Sequence, residues 1–140
     1  MPKKKLGLVC VAEDTDHLRE AIVRAIRDEG FLVVGAEDGQ KALDLIRSSP
    51  GPYLALVSDL DMPKVNGDRL IHEIERSPIT FSAYILISGH SEDHPTIKAL
   101  VTSGTRVPLY VLPKPFEKQE LSKLLDAIIS LSPPPQQRRD

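Results

Sequence analysis

Five short, almost wholly apolar runs, each followed by a stretch whose apolar residues recur at helical spacing, divide most of this 140-residue chain. The first run, residues 6–12, precedes a stripe of Leu18, Ala21, Ile22, Ala25 and Ile26 that stops at Gly30. Residues 31–35 form the second, before an Asp38-led segment with Ala42, Leu45 and Ile46 in register, closed by Ser48, Ser49 and Pro50. The third, residues 53–58, is followed by a turn holding Pro63 and Gly67 and by Leu70, Ile71 and Ile74, stopped near Pro78. Residues 83–88 lead into Ile97, Leu100 and Val101 before Gly104, and residues 109–112 into Leu121, Leu124, Leu125 and Ile128. Parallel strands need crossover connections and are covered on both faces, so this alternation predicts a single doubly wound α/β domain with helices on both sides of a five-stranded parallel sheet.

A chain of this length buries one sizeable core but not two average domains. After Leu131 the pattern gives way to Ser132, three prolines, two glutamines and a charged end, so residues 5–131 are read as the domain and 132–140 as a proline-rich tail or linker. Eighteen basic against twenty acidic residues leave a net charge of −2, with no overall field directed at nucleic acid or a membrane surface. Neither is expected as a partner. Cys10 is the only cysteine, which excludes an internal disulfide and fits a reducing, cytoplasmic setting. Lysines before the first apolar run have a secretory order, but Glu13, Asp14 and Asp16 stand where a small-residue cleavage site would be, so the run is read as a strand. His17, His72, His90 and His94 form no metal-ligand spacing.

In open α/β sheets, ligands bind beyond the carboxyl ends of the strands. There the first run meets Glu13 and Asp14, the third Asp59, the fourth Ser88 and the fifth Lys114, while the second meets only Gly35 and Ala36. Clustered carboxylates raise one another's pKa unless a hard, oxygen-preferring cation offsets the repulsion, which suits Mg²⁺ or Mn²⁺. Such a site can place a phosphoryl group on a carboxylate nucleophile, with a lysine and a hydroxyl stabilising the charge.

The stretches Val11-Ala12-Glu13-Asp14 with Leu18-Arg19-Glu20 behind it, Ser58-Asp59-Leu60-Asp61-Met62-Pro63 with Asn66-Gly67, Leu86-Ile87-Ser88-Gly89, and Lys114-Pro115-Phe116 resemble the receiver domains of two-component response regulators, the group that includes the chemotaxis switch protein. The resemblance implies a flavodoxin-like sheet of strand order 2-1-3-4-5. It implies Asp59 as phosphoacceptor and Glu13 and Asp14 as the acidic pair serving the metal, with Asp59 and the Asp61 backbone carbonyl as further ligands. Ser88 is then the switch hydroxyl, Lys114 its charge partner, and Lys114–Pro115 the site of a cis peptide. Asp61 and His90 would influence the lifetime of the aspartyl phosphate. The donor would be a phosphohistidine on a sensor histidine kinase or phosphotransfer protein, so the chain assists its own modification and is not called an enzyme. The signal would pass to an output domain or protein through the fourth helix, fifth strand and fifth helix, about residues 91–131, a surface also compatible with a homodimer.

Three departures stand out. Glu13 occupies a place where aspartate is commoner. Val111 stands where the family usually has a switching aromatic, with Tyr110 one place earlier, so the aromatic half of the output switch is in question. Residues 104–114 make a long connection, similar to receivers placed ahead of cyclic-di-GMP phosphodiesterase domains. Two rivals are weighed against the phosphorylated receiver. Asp59-Leu60-Asp61 matches the paired aspartates of haloacid-dehalogenase-like phosphatases, but in the third strand instead of the first and without a cap segment. A docking-only receiver would usually lack one of the acids or the lysine, and this chain has them all.

Overall fold

In the computed structural model, residues 7–89 and 93–131 are described. The order is β1 (Leu8–Ala12), α1 (Asp16–Asp28), β2 (Leu32–Ala36), α2 (Gly39–Ser48), β3 (Tyr53–Asp59), α3 (Gly67–Glu75), β4 (Phe81–Ser88), α4 (Pro95–Ser103), β5 (Leu109–Pro113) and α5 (Lys118–Leu131). All four strand pairings are parallel and the sheet order is β2-β1-β3-β4-β5, as the resemblance implied.

Successive strand residues point to opposite faces, and each face has its own core. On one side Cys10, Leu56, Tyr84 and Leu86 meet Ala42 and Ile46 of α2, Leu70, Ile71 and Ile74 of α3, and Ile97 and Leu100 of α4. On the other, Val9, Val11, Val57, Ile85 and Ile87 meet Ile22 and Ile26 of α1 and Leu121, Leu125 and Ile128 of α5. β3, in the middle, is buried along all seven residues. Edge position explains where the apolar runs overstate burial: Leu32 on β2 is 60% exposed, and Tyr110 and Val111 on β5 are half-buried.

Several expected boundaries shift. The first strand begins at Leu8, after Gly7, and Phe31 is a buried residue ahead of β2 instead of its first member. β4 starts two residues early, at Phe81, whose ring stacks on Tyr53 at 4.7 Å between centroids. Ala21 and Val101, placed on buried stripes by periodicity, are exposed. Both lie at the margin of their helix's apolar face, where spacing alone does not tell inside from outside. Residues 132–140, read as a tail, and His90 lie outside the described residues.

This layering separates two leucines that look alike in sequence. Leu56→Ala opens a cavity in a wholly buried strand and is expected to cost about 3 kcal/mol in urea unfolding, whereas Leu32→Ala should stay within about 0.5 kcal/mol. Equal effects would contradict the assignment of β3 to the centre and β2 to the edge.

Candidate functional site

Because all five strands run the same way, their carboxyl ends open on one edge of the sheet. Glu13 leaves β1 with its N–H donating to the Ala36 carbonyl of β2 at 3.1 Å, and its own carbonyl accepts from the Arg19 guanidinium at 3.0 Å. Arg19 is held in turn by Asp16 at 2.7 Å. The Glu13 side chain, 1% exposed, accepts from the Thr15 N–H through Oε2 at 2.9 Å. Asp14, next to it, is exposed. Asp59 ends β3, and the following Leu60 N–H donates to the Ile87 carbonyl of β4 at 2.9 Å. Ser88, buried, ends β4, and its carbonyl accepts from the Lys114 N–H at 2.8 Å.

Lys114 therefore enters the site tied to Ser88. Its ammonium lies 3.2 Å from Asp59 Oδ2, within hydrogen-bond range, and 3.7 Å from Glu13 Oε1. The Lys114–Pro115 peptide is cis, as is Gly51–Pro52. Carboxylate oxygens of Glu13, Asp14 and Asp59 come within 4.8 Å of one another, and among the described residues these are the acidic group that could hold a metal ion. Glu13 Oε1 is buried with no hydrogen-bond partner, which is costly for an anion and marks where a cation fits. An all-oxygen donor set beside water suits Mg²⁺ or Mn²⁺.

Burial pushes the Glu13 carboxyl above the usual carboxylate range; neighbouring Asp59 adds to this, and the Thr15 N–H and Lys114 oppose it. Asp59 is likewise raised, first by burial and further by Asp14, against the pull of Lys114. One lysine does not offset this cluster of acids.

Of the other residues singled out in sequence, Asp61 is exposed in the loop after β3. Tyr110 and Val111 point to opposite faces: Tyr110 packs with the α1/α5 core and Val111 with the α2/α3/α4 core, so an aliphatic side chain stands where the usual aromatic would. His94 caps α4 through the Thr96 N–H. The long connection into β5 is anchored in a way no sequence pattern signalled. The Glu75 carboxylate accepts from the Tyr84 hydroxyl at 2.6 Å and the Arg106 N–H at 3.0 Å, while the Arg106 guanidinium donates to the Ile74 carbonyl at 3.3 Å. Burial alone would raise Glu75, but Tyr84 and Arg106 outweigh it and hold the group below its ordinary range.

The model of the response regulator receiver domain matches residues 9–126. The chain belongs to that family. It is 31% identical over 114 residues to the sensor kinase CckA of Brucella abortus, 32% over 105 residues to a response regulator receiver protein of Anaeromyxobacter, and 29% over 135 residues to the transcriptional regulator NtrC of Escherichia coli. Those alignments cover 81%, 75% and 96% of this chain but only 12%, 41% and 27% of the relatives, which are longer proteins. Among solved structures, the Francisella response regulator 1452 receiver domain superposes with a TM-score of 0.76 at 25% identity, covering 91% of this chain and 99% of that one. The Vibrio cholerae chemotaxis protein CheY4 shares the fold, with a TM-score of 0.75 at 22% identity over 89% of this chain and 99% of that one. The chain is thus a receiver domain of two-component systems, a signalling module and not a conventional enzyme. No described helix is long and apolar enough to cross a membrane.

Because both raised carboxyls bind protons more tightly in the folded chain than in the unfolded one, the stability that protonation supplies is complete below the ordinary carboxylate pKa. It is lost as pH rises through the raised values. Glu13→Gln keeps an acceptor for the Thr15 N–H and removes the charge. Without divalent metal it is expected to melt several degrees above wild type at about pH 8, the gap closing toward about pH 4. A gap that does not change with pH would contradict the account.

Proposed function

We propose that this receiver takes a phosphoryl group from a phosphohistidine, on a sensor histidine kinase or phosphotransfer protein, onto Asp59. The observation that carries the reading is the Lys114 ammonium set between Asp59 and Glu13 at the mouth of the acidic cluster. An Asp59 carboxylate oxygen attacks phosphorus, the phosphorus–nitrogen bond breaks, and its electron pair returns to the donor imidazole, leaving an acyl phosphate. Lys114 neutralises charge on the phosphoryl oxygens, and Ser88, at the end of the neighbouring strand, donates its hydroxyl to one of them. Glu13, Asp14, Asp59 and the Asp61 carbonyl would hold Mg²⁺ or Mn²⁺. When bound, the cation neutralises charge on the transferring group and relieves the repulsion among the acids.

The added charge, about −1.5 to −2, draws Ser88 and Lys114 toward Asp59. The Lys114 N–H is bonded to the Ser88 carbonyl, so the ends of β4 and β5 respond together. That couples the site to the surface of α4, β5 and α5. We assign residues 5–131 to the receiver unit and 132–140 to a tail or linker. Asp61 and His90 are the residues we assign to tuning the phosphoryl lifetime, and a cytoplasmic setting follows from the proposed donor.

Incubation with acetyl phosphate and Mg²⁺ is expected to add one phosphoryl mass in intact-mass spectra, an adduct that does not form when Mg²⁺ is chelated beforehand or in Asp59→Asn. Lys114→Ala should slow uptake at least about tenfold. An unmodified wild type under conditions that modify a control receiver would replace this reading with a docking-only one.

A further inference from the structure

Gly39, the first residue of α2, lies against the loop that follows the proposed phosphoacceptor. A methyl group at this position would overlap the Val65 carbonyl oxygen and sit 2.7 Å from Val65 Cβ and 2.8 Å from its carbonyl carbon. The obstacle is mostly main chain, so nothing but a shift of the loop or the helix end could relieve it. Asp38, immediately before, caps α2 by accepting from the Lys41 N–H at 2.8 Å, and its other oxygen faces the Lys64 ammonium at 3.8 Å. Lys64 is the one described non-glycine residue with positive φ, at 69°, a conformation of modest cost that the loop retains beside this contact.

The loop is also closed on itself. The Gly67 N–H donates to the Leu60 carbonyl at 2.8 Å and the Val65 N–H to the Pro63 carbonyl at 2.7 Å. Asn66 stands at the N-cap position of α3, yet its side chain does not cap that helix; Oδ1 accepts from the Met62 N–H at 3.2 Å. Residues 60–66 thus form a small, internally bonded unit whose bearing against the rest of the molecule includes the start of α2. Asp61 belongs to this unit.

We propose that the N-terminus of α2, through Gly39 and Asp38, is the template that sets where the Asp61 carbonyl lies relative to Glu13, Asp14 and Asp59. Gly39 is then a positioning residue for metal binding, acting through the loop and touching neither metal nor phosphoryl group. The inference rests on the reading of Asp61 as a ligand. It explains why a residue without a side chain begins a helix at which any Cβ would press the loop out of place, and why Asp38 is buried at a helix start beside a lysine of the same loop.

The test is Mg²⁺ affinity, measured by amide shifts and calorimetry on wild type, Gly39→Ala and Ala42→Gly. Ala42→Gly weakens α2 one turn further on, by about 1 kcal/mol from helix propensity, away from the Val65 contact. Gly39→Ala is expected to raise the Mg²⁺ dissociation constant about tenfold or more, the size seen when residues that orient ligands are altered, while Ala42→Gly leaves it near the wild-type value. The Met62 and Gly67 amides of Gly39→Ala should also exchange faster without metal. Should Gly39→Ala not fold, Val65→Gly, which removes the loop's side chain from the contact, carries the same expectation. A wild type that fails to bind Mg²⁺ overturns the metal-site reading itself. A wild type that binds, beside a folded Gly39→Ala of equal affinity, overturns this inference alone.

Discussion

The Lys114 ammonium, 3.2 Å from Asp59 and 3.7 Å from Glu13, is the contact on which the site depends. Both carboxyls are largely withdrawn from water, and a buried anion without a counterion costs several kcal/mol. Lys114 lowers that cost without removing it: Glu13 Oε1 still lacks a hydrogen bond, and both acids stay above their usual range because burial outweighs the lysine. With all three acids ionised, Glu13, Asp14 and Asp59 set against Lys114 leave two negative charges unbalanced. In the proposed function, a divalent cation and a phosphoryl group together would alter that balance and so bias the surface of α4, β5 and α5.

The rest of the fold serves to bring these groups to one edge. Parallel strands put their carboxyl ends on the same side, and the central β3, buried along its length, fixes Asp59 rigidly. Gly67 shows how close the approach is. A methyl group there would overlap the Asp59 carbonyl oxygen and lie 3.1 Å from Leu60 Cα, so α3 can begin directly beneath Asp59 only on a residue with no Cβ. Away from this edge, the Glu75–Tyr84–Arg106 cluster fastens the connection between α4 and β5 to the end of α3. Val111, an aliphatic side chain, lies on a strand whose entry loop is tied down.

The sequence carried the element order well because a buried parallel strand and an amphipathic helix have different periods, and the chain alternates them five times. It carried the site's membership for a related reason: the residue ending each strand is read directly once the strands are placed. What it could not carry was anything set by pairs distant along the chain. Arg106 and Glu75 are thirty-one residues apart, and no local pattern joins them. Asp38 leads the second helical segment in sequence and caps α2 in the structure, but the nearness of Gly39 to Val65 depends on how α2 packs against the loop after β3. Periodicity also misplaced Ala21 and Val101, since it ranks positions around a helix without knowing how wide a face its neighbours cover.

The carboxylates, lysine and hydroxyl at this edge of the sheet are proposed to form one phosphoryl receptor. Its most direct measurement is fluorine NMR of beryllofluoride, a stable stand-in for the phosphoryl group, titrated into the protein with and without Mg²⁺. The account expects bound resonances at one equivalent per chain that require Mg²⁺ and are lost when Lys114 is replaced by alanine. Signals from free beryllofluoride alone, at concentrations that saturate a control receiver, would contradict it.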